Sequence, residues 1–350
     1  MGVLHGANVR VAGRLTDSSP KHDTGLTNGR RVPGRLSHMR TVKTALSQFM
    51  LALTIPLGLD LYLPVPEANP LTPQKVELGR RLFNDRRLSR DQSLSCASCH
   101  NPHRAFSTPR PLSIGVFGRQ GRRNVPALVN RGYGRAFFWD GRITSLEVQV
   151  LRPIQDPNEM DLALGEASAR VRLPVEEISH ALASYVRSIL SGNAPYDRFV
   201  NGDRKALSVM AQAGLQVFRG KGNCTACHVG PTFSDERLHN TGIAWAATGS
   251  EDAGRAGRFL DEGRAEITGK PEDRGAFKTP TIRDVARTAP CMHDGSLATL
   301  DDVVRFYDEG GRANPNRDPE LRPLRLTAKE RQALVAFLRS LTGAISEGRF

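Results

Sequence analysis

The feature that most constrains this chain is a short motif that occurs twice, as Cys96-Ala-Ser-Cys99-His100 and as Cys224-Thr-Ala-Cys227-His228. Two cysteines separated by two residues and followed at once by histidine form the attachment signature of c-type haem. The two thiols add to the vinyl groups of the porphyrin, and the adjacent imidazole is placed beneath the ring as a ligand of the iron. The sequence therefore predicts two covalently bound haem c groups.

Zinc binding and thiol redox chemistry are the two other uses of such cysteine pairs. Two C-x-x-C pairs can together hold a zinc ion, but 124 residues separate Cys99 from Cys224, far more than in zinc-finger modules. A redox-active C-x-x-C pair is typical of a βαβ pattern, and no such pattern surrounds either motif. A histidine at the same offset in both copies favours haem.

The surroundings of the two motifs are also repeated. The matching segments are Gly79-Arg-Arg-Leu82-Phe83 and Gly214-Leu-Gln-Val217-Phe218 before the motifs, and Ala105-Phe106-Ser107 and Thr232-Phe233-Ser234 after them. Such a duplication indicates two units of one architecture, each folded round its own haem. We therefore expect an N-terminal haem c domain at residues 69–200 and a C-terminal haem c domain at residues 201–346. The boundary falls in a Gly/Asn/Pro/Asp-rich stretch at residues 192–207.

Helical patterns dominate both halves of the chain. Thr72 caps a helix that opens with Pro73. Apolar residues recur at helical spacing from about Pro174 to Leu190. Thr327 and Glu330 form the capping box of a third helix. Because strand-like alternation is scarce, we predict a mainly α protein with two cytochrome c-like haem domains in tandem, joined by long loops.

The N-terminal part of the chain has the layout of an export signal. Residues 1–38 are basic and lack hydrophobic periodicity, which predicts a disordered arm or a start codon placed too early. Residues 39–68 combine a short basic leader with an uncharged, mostly apolar run from Thr44 to Leu59. This run is short for a membrane span, and Ala68 is a weak cleavage position. A cleaved signal and a retained N-terminal anchor therefore both stay open, and a buried core helix is the remaining alternative for the apolar run.

The formal net charge of +13 raises the question of nucleic-acid binding. The arginines are scattered, and neither aromatic interleaving nor a nucleic-acid-binding motif accompanies them. The sequence therefore predicts no nucleic-acid partner.

Further segments form a pattern that haem attachment alone does not require: Arg123-Asn124-Val-Pro126, Phe138-Trp139-Asp140-Gly141-Arg142, Ser145-Leu-Glu-Val-Gln149, Lys278-Thr-Pro280-Thr-Ile-Arg283-Asp-Val285 and Met292-His-Asp-Gly295. With the haem motifs, they make the chain resemble bacterial di-haem cytochrome c peroxidases and their relative MauG. The resemblance covers about Asn69 to Gly343. It implies a periplasmic oxidoreductase of the cytochrome-c peroxidase type, in which the C-terminal haem relays electrons to a peroxidatic N-terminal haem.

Peroxide cleavage at iron needs a base that takes a proton from the bound oxygen and returns it to the leaving oxygen. A partly desolvated carboxylate suits this task. Glu159 falls at the position of the family's catalytic glutamate, and the resemblance makes Gln149 its companion in the distal pocket. Trp139 matches an indole that the family places between the two haems as an electron relay. Without the family, packing at a domain junction would also explain Trp139.

The iron at His228 needs a sixth ligand, for which the sequence offers His239, Met292, His293 and Tyr307. Methionine is the usual partner of histidine in cytochromes c, so ligand chemistry alone favours Met292. The resemblance instead favours Tyr307, because it aligns this residue with the methionine ligand of the peroxidases and the tyrosine of MauG.

A calcium ion between the haems is a further property of the family. The resemblance implies that Asn124 binds it through a side-chain amide, and Thr288 and Pro290 through backbone carbonyls. Hard oxygen ligands of this kind suit Ca²⁺. An ordinary loop-capping role is the alternative for Asn124.

The iron at His100 lacks an obvious sixth ligand. No histidine occurs between His103 and His180, and the loop at residues 113–121 offers arginine and glutamine, which do not bind iron readily. We therefore expect this iron to be open or to hold water, and to react with peroxide without prior reduction.

Three functions remain to be compared. The first is reduction of hydrogen peroxide with electrons from a small cytochrome c or a cupredoxin. The second is a MauG-like use of high-valent iron to oxidise a protein or another molecule. The third, a di-haem electron carrier without catalysis, is disfavoured by Glu159 and Gln149, because a carrier needs no acid–base group over its iron. A homodimer is compatible with each of them.

Overall fold

The computed structural model describes residues 53–248 and 256–350. The expected arm at residues 1–38 and the first part of the expected export signal lie outside these residues. The helices are α1 Pro73–Phe83, α2 Cys96–Cys99, α3 Leu146–Gln149, α4 Arg152–Gln155, α5 Leu164–Val171, α6 Val175–Arg187, α7 Pro195–Val200, α8 Val209–Arg219, α9 Ala265–Thr268, α10 Leu300–Asp308 and α11 Ala328–Arg339. The strands are β1 Ile189–Gly192, β2 Leu238–His239, β3 Trp245–Ala247, β4 Gly257–Phe259, β5 Phe277–Lys278 and β6 Ala344–Glu347. Helices predominate, as predicted.

Across the described ranges, no helix combines the length and apolar character that a membrane span requires.

Two helix pairs of the same kind organise the two halves of the chain: α1 packs against α6, and α8 packs against α11. At each crossing a glycine lies directly on the partner helix. A Cβ atom at Gly79 would collide with the carbonyl oxygen of Ala181, and a Cβ atom at Gly214 would collide with that of Ala333. Since only glycine allows so close an approach, the glycine repeated in the sequence has the same packing role in both copies.

The buried apolar side chains form one cluster in the N-terminal half and a second in the C-terminal half. Equivalent phenylalanines meet edge to face in each. The ring centroids of Phe83 and Phe106 are 6.0 Å apart, and those of Phe218 and Phe233 are 6.1 Å apart. Such T-shaped contacts are a favourable arrangement of aromatic rings. The repeated segments of the sequence thus adopt the same local packing.

The helix predicted over residues 174–190 is shorter in the structure, and its predicted last turn is wrong. Helix α6 ends at Arg187, and the next residues form β1, which pairs antiparallel with β6. Ile189 and Leu190 are fully buried in this strand. A short apolar run is compatible with a buried helix or a buried strand, so periodicity alone could not separate the two.

The two other sheets are also two-stranded and antiparallel. Strand β2 pairs with β5, and β3 pairs with β4. In the first of these, His239 lies opposite Phe277. These short pairings fix the loops that surround the second C-x-x-C-H motif.

Residues 53–68, the part of the expected export signal that the structure describes, lie against the folded body. The backbone N–H of Asn193 donates to the carbonyl of Leu57 at 2.7 Å, and the Tyr133 hydroxyl donates to the carbonyl of Asp60 at 2.7 Å. Residues 53–68 therefore contribute to the fold on which the site is built.

Candidate active site

The first C-x-x-C-H motif forms the short helix α2, and His100 follows it directly. The Nδ1 atom of His100 lies 2.8 Å from the carbonyl oxygen of Phe106. Phe106 has a left-handed backbone, with φ 59°, which turns this carbonyl towards the imidazole. Burial lowers the pKa of His100 to about 4, so the ring is neutral at pH 7.

The second motif repeats this arrangement. The Nδ1 atom of His228 lies 2.8 Å from the carbonyl oxygen of Phe233, whose φ is 53°. Burial lowers the pKa of His228 as well. A neutral imidazole that donates from Nδ1 to a backbone carbonyl keeps the lone pair of Nε2 for a metal. Both histidines therefore have the protonation state and the orientation that an iron ligand needs.

None of the four motif cysteines is paired in a disulfide. Burial raises the pKa of Cys96 to about 12, that of Cys99 to about 11 and that of Cys224 to about 12. Redox-active C-x-x-C pairs depend on a thiolate whose pKa is lowered, so this environment does not suit them. It does suit thiols that become thioethers of haem c.

A continuous cavity of about 640 Å³ connects the two motifs. Its walls include Cys96, Cys99 and His100 on one side and Cys224, Cys227 and His228 on the other. Paired thiols beside a neutral, oriented imidazole at each end fit one covalently bound haem per motif. The donor set does not fit one zinc ion shared by both motifs, because in the described part of the chain the ligand atoms of the two motifs do not lie within 4.8 Å of one another.

Glu159 lies on the wall of this cavity, in the loop that follows α4. The pKa of Glu159 is raised to about 7, chiefly by burial and in addition by the nearby Asp156 carboxylate, while Arg142 opposes the rise. The charge of Glu159 acts on the thiols of Cys96 and Cys99, so the carboxyl group belongs to the first motif. Near neutral pH such a group can both accept and release a proton.

The loop at residues 113–121 holds Glu159 in place. The backbone N–H of Val116 donates to the carbonyl oxygen of Glu159 at 2.8 Å. Arg119 donates to the carbonyl of Pro157 at 2.8 Å and forms an ion pair with Asp161 at 3.0 Å. Gly115 lies so close to this loop that a Cβ atom there would collide with the Asn158 carbonyl. The cavity-lining residues of this loop are Ser113, Ile114, Gly115 and Gly121, which bring no nitrogen or sulfur side-chain ligand.

Gln149 and Trp139 line the same cavity. Gln149 is the last residue of α3. Both chain halves position Trp139, because its indole N–H donates to the Asn124 carbonyl at 2.8 Å and its carbonyl accepts from the Lys278 N–H at 2.6 Å. Its ring meets that of His293 edge to face, with centroids 6.5 Å apart. The indole therefore lies at the junction of the two halves.

Both candidates for the sixth ligand at the second motif, Tyr307 and Met292, line the cavity. Tyr307 lies on α10, on the helix face that also carries Val303 and Val304 into the cavity. Burial raises the pKa of Tyr307, and the charges of Cys227 and Cys224 add to this. The phenol is therefore close to the second motif. Met292 precedes His293, which lies against Trp139.

The three expected calcium ligands, Asn124, Thr288 and Pro290, all line the cavity. The side-chain NH₂ group of Asn124 donates to two backbone carbonyls, of Arg110 and Pro111, which leaves the amide oxygen free to bind a cation. The backbone of Asn124 also hydrogen bonds to the carbonyl of His293 at 2.6 Å, which brings it beside the segment that holds the other two residues.

Several charged groups of the site have ion-pair partners that the sequence did not indicate. Arg123 bridges the buried Asp140 at 2.6 Å and Asp261 at 2.7 Å. Asp261 lies 138 positions further along the chain, so no local pattern could indicate this pair. The charged residues in the segments around Arg123 and Trp139 therefore belong to an ion-pair network beside the cavity.

A second charged group lies at the Cys227 end of the cavity. His239 bonds to Asp235 and Asp318, and its imidazole lies within 4.8 Å of the Cys227 sulfur. His239 was expected only as a candidate iron ligand.

Comparisons with known proteins agree with this geometry. A family profile described as di-haem cytochrome c peroxidase matches residues 73–176. The chain is 37% identical to the methylamine utilization protein MauG of Methylorubrum extorquens over 296 residues, which cover 79% of this chain and 81% of that protein. It is 36% identical to a cytochrome-c peroxidase of Denitromonas iodatirespirans over 313 residues, which cover 80% of this chain and 84% of that protein.

A solved structure, that of a MauG-like protein associated with microbial copper homeostasis, has the same fold. Its TM-score is 0.73 at 33% identity, and the match covers 82% of this chain and 94% of that one. These likenesses extend over both C-x-x-C-H motifs and the cavity between them. The chain therefore belongs to the di-haem cytochrome c peroxidase and MauG family, and it is a peroxidase-type oxidoreductase that uses haem c.

Proposed function

We propose that this enzyme reduces hydrogen peroxide to water at a haem bonded to Cys96 and Cys99, with electrons relayed from a haem bonded to Cys224 and Cys227. The observation that supports this division most directly is Glu159, a buried carboxyl group with a pKa of about 7 next to the first motif. A haem bound there supplies the iron at which the O–O bond breaks. Each peroxide consumes two electrons and two protons and gives two water molecules.

Glu159 manages the protons of this reaction. As a carboxylate it would accept a proton from one oxygen of peroxide, and as a carboxylic acid it would return this proton to the leaving oxygen. Its pKa near 7 makes both transfers accessible at neutral pH. The amide of Gln149, on the same cavity wall, donates a hydrogen bond that orients the peroxide.

Trp139 carries electrons between the two halves. Its indole N–H donates to the Asn124 carbonyl in the N-terminal half, and its backbone carbonyl accepts from the Lys278 N–H in the C-terminal half. An oxidisable ring at this junction shortens each electron-transfer step.

Together with His228, Tyr307 would hold the iron of the C-terminal haem. Its place on α10 beside Cys224 and Cys227 supports it over Met292, whose neighbour His293 contacts Trp139. An oxygen ligand stabilises ferric iron, whereas methionine raises the reduction potential. Tyrosine at this position also favours the second candidate function, a MauG-like oxidation of a protein or another substrate by the same site.

A calcium ion bound by the Asn124 amide oxygen and the carbonyls of Thr288 and Pro290 joins the two halves near Trp139. The free amide oxygen of Asn124 supports this assignment, since Ca²⁺ prefers side-chain amide and backbone carbonyl oxygens. The ion fixes the segment that carries the Trp139 hydrogen-bond acceptor.

The enzyme acts in the periplasm, where haem c is attached, and receives electrons from a small cytochrome c or cupredoxin. The chain remains net positive when residues 1–52 are left out, which suits a donor with an acidic docking face. Because residues 53–68 contact the folded body, we place the end of the export signal before Leu53. Whether that signal is cleaved or kept as a membrane anchor, and whether two chains form a homodimer, does not alter the chemistry.

The proposal is tested by mixing the holoenzyme with a reduced cytochrome c or cupredoxin and adding hydrogen peroxide. We expect two electrons to be taken from the donor per peroxide. In Trp139→Phe, donor oxidation slows at least tenfold while haem content is unchanged. Trp245→Phe is the matched control, because the chain has two tryptophans and Trp245 is buried away from the cavity. Peroxide that reacts without oxidising any donor, together with oxidation of an added protein, would select the MauG-like function instead.

A further inference from the structure

A charged cluster of Asp235, His239 and Asp318 lies at the edge of the second haem site. His239 donates from Nδ1 to Asp318 at 2.5 Å and from Nε2 to Asp235 at 2.9 Å. An imidazole can donate from both nitrogens only when it carries both protons, and it is then a cation. The cluster therefore holds one positive charge between two negative charges.

The cluster is built into the fold and is not a chance surface contact. The second oxygen of each carboxylate accepts a backbone N–H, from Arg237 for Asp235 and from Glu320 for Asp318. The three side chains are between 11% and 19% exposed. The hydrogen bonds to the Cys227 sulfur and to the two carboxylates raise the pKa of His239. The two carboxylates remain when this sulfur is bonded to haem.

The position of the cluster ties it to the haem. The sulfur of Cys227 and the ligand atoms of Asp235 and His239 lie within 4.8 Å of one another, and the Asp235 N–H donates to the Cys227 carbonyl at 2.9 Å. This sulfur is one of the two that would bond the haem at the second motif. At the same offsets after the first motif stand Ser107 and Pro111, so neither a carboxylate nor an imidazole is repeated there.

We propose that the imidazolium of His239, held between Asp235 and Asp318, sets the electrostatic potential at the thioether edge of the C-terminal haem and thereby its reduction potential. Reduction adds an electron to the haem, so positive charge nearby favours the ferrous form and negative charge favours the ferric form. The cluster acts on the C-terminal haem alone and therefore gives the two haems different reduction potentials. This inference requires a haem at Cys224 and Cys227 but no particular substrate.

The test measures the two haem potentials by spectroelectrochemistry at pH 6 in variants that change the cluster charge in opposite directions. His239→Gln leaves two carboxylates unbalanced and should lower the potential of the C-terminal haem. Asp318→Asn leaves the imidazolium paired with Asp235 alone and should raise it. His239→Lys restores a positive charge and should return the potential towards that of the unmodified enzyme. The N-terminal haem should not change in any of them.

His180→Gln is the matched control, because His180 is a half-buried histidine with one carboxylate neighbour, Glu176, and does not line the cavity. A cluster that only braces the loops would be disrupted by both His239→Gln and Asp318→Asn, and the potentials would then move in the same direction or not at all. Either result would overturn the inference. Peroxide turnover, measured on the same samples, reports separately on the proposed function.

Discussion

Glutamine in place of Glu159 should abolish the pH dependence of the peroxide reaction as well as most of its rate. The pKa of Glu159 is about 7, against an ordinary value of 4.5, because the carboxyl group is buried. From pH 6 to pH 8 the fraction of molecules with an ionised Glu159 rises from about one tenth to about nine tenths. Since the carboxylate is the base that accepts the peroxide proton, kcat/KM should rise about tenfold over this range and level off above it.

An exposed glutamate with its ordinary pKa would be ionised throughout this range. In that case kcat/KM would not vary between pH 6 and pH 8. The pH profile therefore distinguishes the buried group from a surface carboxylate. In Glu159→Gln we expect kcat/KM at pH 8 to fall by about 10² to 10⁴, the usual contribution of general acid–base catalysis, and the remaining rate to be independent of pH.

The assay is stopped-flow mixing of the holoenzyme with hydrogen peroxide at a series of pH values, with haem content checked in each sample. Glu176→Gln is the matched control, because the Glu176 side chain is 82% exposed and lies outside the cavity. A wild-type rate that does not vary between pH 6 and pH 8, or a Glu159→Gln variant with undiminished rate, would refute this role for Glu159.

Three further predictions concern other parts of the enzyme. Tyr307→Met should raise the potential of the C-terminal haem and introduce the Fe–S charge-transfer band of methionine-ligated ferric haem; such a band already present in the unmodified protein would identify Met292 as the ligand. Asn124→Ala should release calcium at a lower chelator concentration, measured by metal analysis, and slow electron transfer between the haems; a chain that never contains calcium contradicts this. Asp197→Asn should lower the free energy of unfolding by about 3 to 5 kcal/mol in chemical denaturation, because it leaves Arg283 buried and unpaired. A loss below about 1 kcal/mol would show that the pair is not needed.

The parts of the fold that the sequence predicted correctly are those encoded locally. Thr72 caps α1, and Thr327 with Glu330 forms the capping box of α11, because each of these contacts joins residues three positions apart. The repeated C-x-x-C-H motif likewise carries its own geometry, down to the phenylalanine carbonyl that each histidine contacts.

What the sequence could not predict depends on partners far away in the chain. Strand β1 replaces the last turn of the predicted helix because it pairs with β6, more than 150 residues later. The ion pair of Arg283 with Asp197 spans 86 positions, and that of His239 with Asp318 spans 79. Charged residues of this kind look like ordinary surface residues until the fold brings them together.

Family resemblance provided the roles that neither spacing nor composition indicated. Glu159 lies in a polar loop, where a glutamate is ordinarily solvated, and its burial depends on the loop at residues 113–121. Trp139 is similar, since its contacts come from Asn124 and Lys278 in different halves. These positions became assignable residue by residue only because the surrounding motifs match the family.

Electron paramagnetic resonance of the diferric enzyme as isolated, followed by addition of hydrogen peroxide, tests the central claim most directly. The residues of loop 113–121 that line the cavity bring no nitrogen or sulfur ligand to the iron at His100. We therefore predict one high-spin signal from the N-terminal haem and one low-spin signal from the C-terminal haem, with rapid loss of the high-spin signal on adding peroxide and without prior reduction. Two low-spin signals, together with no reaction until the protein is partly reduced, would contradict the account.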